Sequence, residues 1–154
     1  IKMNNKYDPN ICKILKEYIL SGNFKKAKEI SKSLEADELE NYLVEIGYDT
    51  CNIMVYVFLC DILNEKESAD IHCVASVVLT IAFSHLEGAY GAGYYHAKKA
   101  IELDPDNIEL KEYMLFFYSG IPEPLLPKNE AISIAKEILK KNPNHRTALD
   151  VLKK

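Results

Sequence analysis

The sequence predicts an all-α protein, an α-solenoid of antiparallel helix pairs with about nine helices. Three observations carry this. Apolar residues recur at three- and four-residue steps along the chain, and long strand-like alternation is absent. Clusters of Gly, Pro, Asn and Asp cut that pattern into segments of helix length. A spacing of small residues and proline also recurs: Gly93, Ala97, Ala100 and Pro105 return as Ala131, Ala135, Ile138 and Pro143.

Pro9-Asn10 opens a first helix to Leu20, with Ile11, Ile14, Leu15, Tyr18 and Ile19 on one face, and Ser21-Gly22-Asn23 closes it. A second runs from Phe24 to about Leu34, with Phe24, Ala27, Ile30 and Leu34 at helical steps. A third starts at Ala36-Asp37 and is expected to stop at Gly47. Asp49-Thr50 is expected to cap a fourth helix to about Asn64, and Ser68 and Asp70 open a fifth to about Leu86. After Gly88 a sixth runs to Leu103 and ends at Asp104-Pro105, and the seventh covers Ile108 to Tyr118. Three prolines between Pro122 and Pro127 forbid helix there. The eighth helix covers Asn129 to Lys141, and a short ninth, Arg146 to Lys153, ends the chain.

Charge is unevenly spread. Residues 1–50 and 101–154 each hold 17 charged side chains, whereas residues 51–100 hold 8. The fourth and fifth helices are therefore expected to be buried on every face at the centre of the stack.

Composition excludes several classes. The 154 residues are 48% hydrophobic and 27% charged, ordinary globular usage that rules out disorder as the main state. Lysine and arginine total 19 against 23 acidic residues, a net charge of −4, and Arg146 is the only arginine. Without a basic stripe or arginine forks, nucleic acid is not an expected partner. The longest apolar stretch, Val74 to Phe83, is too short for a bilayer, so no membrane partner is expected. Cys12, Cys51, Cys60 and Cys73 form no CxxC pair and read as free thiols of a reducing, cytoplasmic compartment. The polar stretch Ile1 to Asn10 does not read as a secretory leader, and Ile1-Lys2 are expected to be an addition ahead of Met3.

The stretch AKKAIELDPDN (Ala97 to Asn107) and its counterpart EAISIAKEILKKNPNH (Glu130 to His145) resemble the second helix and closing turn of the tetratricopeptide repeat. The small residues allow close helix approach, and the proline ends each second helix so that the chain turns into the next repeat. The resemblance is closest over 88–153. It is blurred over 10–35, where Gly22-Asn23-Phe24, Ala27, Ser31 and Leu34 lack the proline. It is lost over 36–67. It implies a single domain over 1–154, divided into a weak repeat at 10–35, a divergent pair at 36–67, a repeat at 68–107, a repeat with the proline loop inserted at 108–145, and a cap at 146–154.

No cofactor and no metal is expected. His72-Cys73 are neighbours on a helix, about 100° apart, and cannot bond as base and nucleophile. His85 and His96 lack further ligands at metal spacing. Gly88, Gly91 and Gly93 do not form GxGxxG, and no strand precedes them. HExxH, GxSxG and Walker patterns are missing, so the chain reads as a non-enzyme. An enzyme or ligand-binding domain using His72, Cys73, His85 and His96 is the reading of another class.

By its register, the resemblance implies a partner groove lined by first helices: Ala75, Val78, Ala82 and His85 in the fifth helix, and Glu109, Glu112 and Phe116 in the seventh. The last three, at i, i+3 and i+7, share one face and suit a basic or amphipathic peptide. The carboxylate clamp of the family's chaperone-binding branch is absent, because its positions hold Val78, Ala82, Glu112 and Phe116. The expected function is binding of a protein or peptide partner, as an immunity- or antitoxin-type protein, or alternatively as a small secretion chaperone.

Overall fold

A computed structural model describes residues 7–153. Ile1-Lys2, Met3 and the last residue of the expected cap lie outside the described residues. The described chain is all-α, with helices α1 (Pro9–Leu20), α2 (Phe24–Ser31), α3 (Ala36–Thr50), α4 (Met54–Glu65), α5 (Ala69–Ile81), α6 (Ala89–Leu103), α7 (Ile108–Met114), α8 (Phe116–Ser119), α9 (Lys128–Lys141) and α10 (Arg146–Lys153). Counting α7 and α8 as one interrupted helix gives nine.

Side-chain caps set many of the boundaries. Asp8 Oδ1 accepts the Asn10 amide at 2.8 Å with Pro9 at the first helical position. The Ser68 hydroxyl accepts from Ile71 at 3.2 Å, and Asn107 accepts from Glu109 at 3.1 Å. His145 Nδ1 caps α10 by accepting from Ala148 at 3.2 Å.

Five boundaries differ from expectation; the simplest is that α2 ends at Ser31 rather than about Leu34. Gly47 does not end α3. It lies buried inside the helix, where a Cβ would stand 2.8 Å from the Ala82 Cβ, so its job is close approach to the end of α5. The helix ends instead at Cys51, whose φ of 48° is left-handed. Thr50 therefore caps no helix; the turn into α4 is held by Asn52, which accepts the Met54 amide at 3.0 Å. The fifth helix ends at Ile81, and turns fill 82–88. The seventh breaks at Leu115, whose amide bonds Glu112 three residues back.

Consecutive helices pack as α1 on α2, α5 on α6 and α9 on α10, and others pack on the next pair, α3 on α5 and α7 on α9, the arrangement of a helical repeat. The closest pairing is α5 with α6. Two apolar cores result. One, from α1–α5, contains Leu15, Ile19, Leu43, Ile46, Phe58 and Phe83. The other, from α6–α10, contains Ala97, Leu115, Phe117, Ala131, Ala135, Ile138 and Ala148. The proline loop is pinned to the second core by buried Ile121 and Leu126 and by the Leu125 and Leu126 amides, which donate to the Phe117 carbonyl.

Buried on every face describes α5, in which every residue from Val74 to Thr80 is buried. It does not describe α4, which buries Val55, Phe58 and Leu59 but leaves Val57 exposed on its outer side. This helix packs on α1, α2, α3 and α5.

Candidate functional site

Two polar regions flank α5. The first is a cleft of about 200 Å³ where α3, α5 and the start of α7 meet. Its lining brings together Asp37, Glu40, Asp70 and Glu109 around Cys73, with no lysine or arginine among them. Burial and then the neighbouring Asp37 hold the Glu40 carboxyl above its ordinary range. Burial, followed by the charges of Glu40, Asp70 and Glu109, pushes the Cys73 thiol up to about 11. Cys73 therefore stays protonated at neutral pH, the opposite of what a nucleophilic or metal-binding thiol needs. Crowded carboxylates of this kind are stabilised by a cation that enters from outside.

A larger cleft of about 380 Å³ adjoins it, sharing Ala36 and Asp70, and reaches Lys28, Leu39, Ile62 and Lys66. Its charge is balanced internally: Lys28 pairs with Asp61 at 2.7 Å and also with Glu65. The smaller cleft holds the unbalanced charge.

The second region is a polar seam between α5 and α6. His72, Ser76 and Thr80 stand at i, i+4 and i+8, one face of α5, and all three are buried. Ser76 donates to the Gly93 carbonyl at 2.7 Å, and Thr80 donates to the Ser76 carbonyl at 2.9 Å. The Tyr113 hydroxyl lies 3.0 Å from Ser76 Oγ and 3.2 Å from Thr80 Oγ1, and burial pushes it up to about 12. Gly93 is needed here: a Cβ would come within 2.6 Å of Thr80 Cγ2. At the other end of the seam, His72 Nδ1 meets His96 Nδ1 at 2.8 Å. His72 Nε2 reaches Glu67 at 3.0 Å, and His96 Nε2 reaches the Tyr56 hydroxyl at 2.9 Å. Among the described residues, no buried side-chain nitrogen or oxygen lacks a hydrogen-bond partner.

The residues expected to line one groove are dispersed. Val78 and Ala82, and Ala75 with them, are sealed in the first core and offer no surface to a partner. They face the core because α5 is packed on every side. His85 is exposed beyond the end of α5, beside Phe83. Glu109 lines the acidic cleft, whereas Glu112 turns to His145 Nε2 at 3.4 Å. Phe116 lies past the break at Leu115, half-buried, its ring parallel to Tyr113 and edge-on to Phe117. Of the His and Cys residues read as an alternative site, the structure joins only His72 and His96. Asp37, Glu40 and Asp70 were missed; their signal was carboxylates at the starts of two first helices, α3 and α5.

Among the described residues, no group of three or more His, Cys, Asp or Glu side chains is arranged to hold a metal, and no helix is long and apolar enough to cross a membrane. Comparison with models of known families, with curated proteins and with solved structures finds no match to this chain.

Proposed function

We propose that this chain is a non-catalytic, tetratricopeptide-like binding module that takes a basic segment of a protein partner into the acidic cleft between α3, α5 and α7. The observation that supports this reading most is the convergence of Asp37, Glu40, Asp70 and Glu109 without a cation in the lining. A lysine or arginine side chain entering there would neutralise the Asp37 charge, which adds to the burial that lifts Glu40. Complementary charge of this kind serves recognition and association rate. It fits an immunity-type protein masking a basic surface of its target, and equally a small chaperone holding a basic segment before export. The protonated state of Cys73 argues against nucleophilic chemistry in the same cleft.

The experiment is capture from the native cell with the wild-type chain and with an Asp37→Lys/Glu109→Lys variant, followed by mass spectrometry. A protein with a Lys/Arg-rich segment, held by the wild type and lost by the variant, supports the reading. Identical capture by both overturns it.

A further inference from the structure

The seam between α5 and α6 holds a feature that partner binding does not use. Four side chains from the α4–α5 loop, α5, α6 and α4 form one unbranched chain: Glu67, His72, His96 and Tyr56. Its links measure 3.0, 2.8 and 2.9 Å. The two rings are buried, while the Glu67 side chain is 51% exposed and Tyr56 is half-buried.

Hydrogen-bond accounting allows only one direction while both rings are neutral. The Glu67 carboxylate only accepts, so His72 donates from Nε2 and its Nδ1 is bare. His96 must then donate from Nδ1, which leaves its Nε2 bare to accept from the Tyr56 hydroxyl. A separation of 2.8 Å between the two Nδ1 atoms leaves room for one hydrogen, so the pair cannot hold two positive charges.

We propose that this chain is a one-proton switch, in which a proton taken up at Tyr56 appears as a positive charge on His72 and reverses the two inner hydrogen bonds. The step balances. The Tyr56 oxygen accepts a proton from hydronium, which leaves as water, and passes its own to His96 Nε2. His96 passes its Nδ1 proton to His72 Nδ1. His72 becomes imidazolium beside Glu67, and His96 stays neutral in the other tautomer. Tyr56 then accepts from His96 and points its new hydrogen away from the seam, towards Cys60 or solvent at the outer side of α4 and α6. No ring has to turn.

The charged and titratable surroundings agree with this direction. From α4, the Tyr56 hydroxyl is pushed up to about 12 by burial and by Cys60, so it is neutral near pH 7. From α6, Tyr95 packs edge-on to His96, and Lys99 acts on both Tyr95 and Glu67. From α3, Glu40 acts on Cys73, beside the acidic cleft. Glu67 is thus the carboxylate in contact with the pair, so the charge settles on His72. Burial and the neighbouring His72 hold His96 down at about 4, which keeps it the neutral member.

The test is long-range proton–nitrogen NMR of the labelled full chain from pH 8.5 to 5, with circular dichroism on the same samples. At pH 8.5 the expected tautomers are Nε2–H on His72 and Nδ1–H on His96. On acidification His72 gains its second proton while His96 exchanges Nδ1–H for Nε2–H, with one shared midpoint and an unchanged helical spectrum. Glu67→Gln, at the exposed end, keeps the fold and moves that midpoint to lower pH. An Nε2–H tautomer of His96 at pH 8.5 overturns the proposal. So do separate midpoints for the two rings, a pair that stays neutral until the helices melt, or a midpoint indifferent to Glu67→Gln.

Discussion

The two apolar cores are built from different side chains. The α1–α5 core is filled by large residues, with Leu15, Ile19, Leu43, Ile46, Phe58, Leu59 and Phe83 fully buried. The α6–α10 core has Ala97, Ala131, Ala135 and Ala148 among its buried residues, with Met114, Leu115, Phe117, Ile121, Leu126, Ile138 and Val151 filling the remaining space. Among the described residues, alanine supplies four of the eleven buried residues of the second core against three of the sixteen of the first, so closeness counts for more in the second half and bulk for more in the first. The halves should therefore fail in opposite ways, the first on truncation and the second on enlargement. Between them, α5 turns Val74, Ala75, Val78 and Ala82 to the first core and presents its polar stripe to α6.

The largest effect is expected from truncation in the first core. Phe58→Ala should cost about 3–5 kcal/mol in denaturant unfolding, because a ring packed against Phe24 leaves a cavity that rigid neighbours cannot fill. A cost under about 1 kcal/mol would show that this core tolerates loss of bulk, and the contrast between the halves would fail.

That contrast also decides what the sequence could reveal. Closeness leaves a fixed signature, so Gly93, Ala97, Ala100, Ala131 and Ala135 could be read as helix contacts, and all are buried. Bulk has no fixed spacing, and the pairing of α3 and α4 could not be read in the same way. Ser68 was legible as the start of α5 because the chemistry of a cap is local. Cys51 was not, since a left-handed cysteine carries no composition signal. Gly47 misled because a glycine that permits close approach and a glycine that ends a helix are the same letter. The His72–His96 contact joins residues 24 apart in the sequence, and only the i, i+4, i+8 spacing of His72, Ser76 and Thr80 hinted at a polar face.

The seam should give the next largest effect, through pH. His96 lies at about 4 in the folded chain against an ordinary 6.5, so its neutral form belongs to the fold. Its contribution is complete above pH 6.5 and is lost as pH falls through about 4. The difference amounts to about 3 kcal/mol. Unfolding free energies measured from pH 7.5 to 4 check this, and His96→Gln should flatten the dependence. An equal slope in the variant would place the acid sensitivity elsewhere.

Enlargement in the second half comes third. Ala100→Leu should cost about 1–3 kcal/mol, because Ala100 is buried at a small-residue position of α6. Lys99→Leu, next to it, loses a surface pair with Glu102 and weaker attraction to Tyr95 and Glu67, and should stay within about 0.5 kcal/mol. Equal melting midpoints for the two would mean that α6 does not rely on closeness.

The smallest effect on stability and the largest on binding should come from the acidic cleft. Asp37 and Glu109 are exposed, so Asp37→Lys with Glu109→Lys should shift unfolding by less than about 1 kcal/mol. The most direct measurement is calorimetric titration of the captured basic partner against wild type and this variant, at low and at physiological salt. The expected result is a melting temperature close to wild type, a Kd weakened by about tenfold or more at low salt, and a smaller salt dependence. Equal Kd values and equal salt dependence would contradict the account and move the interface away from α3, α5 and α7.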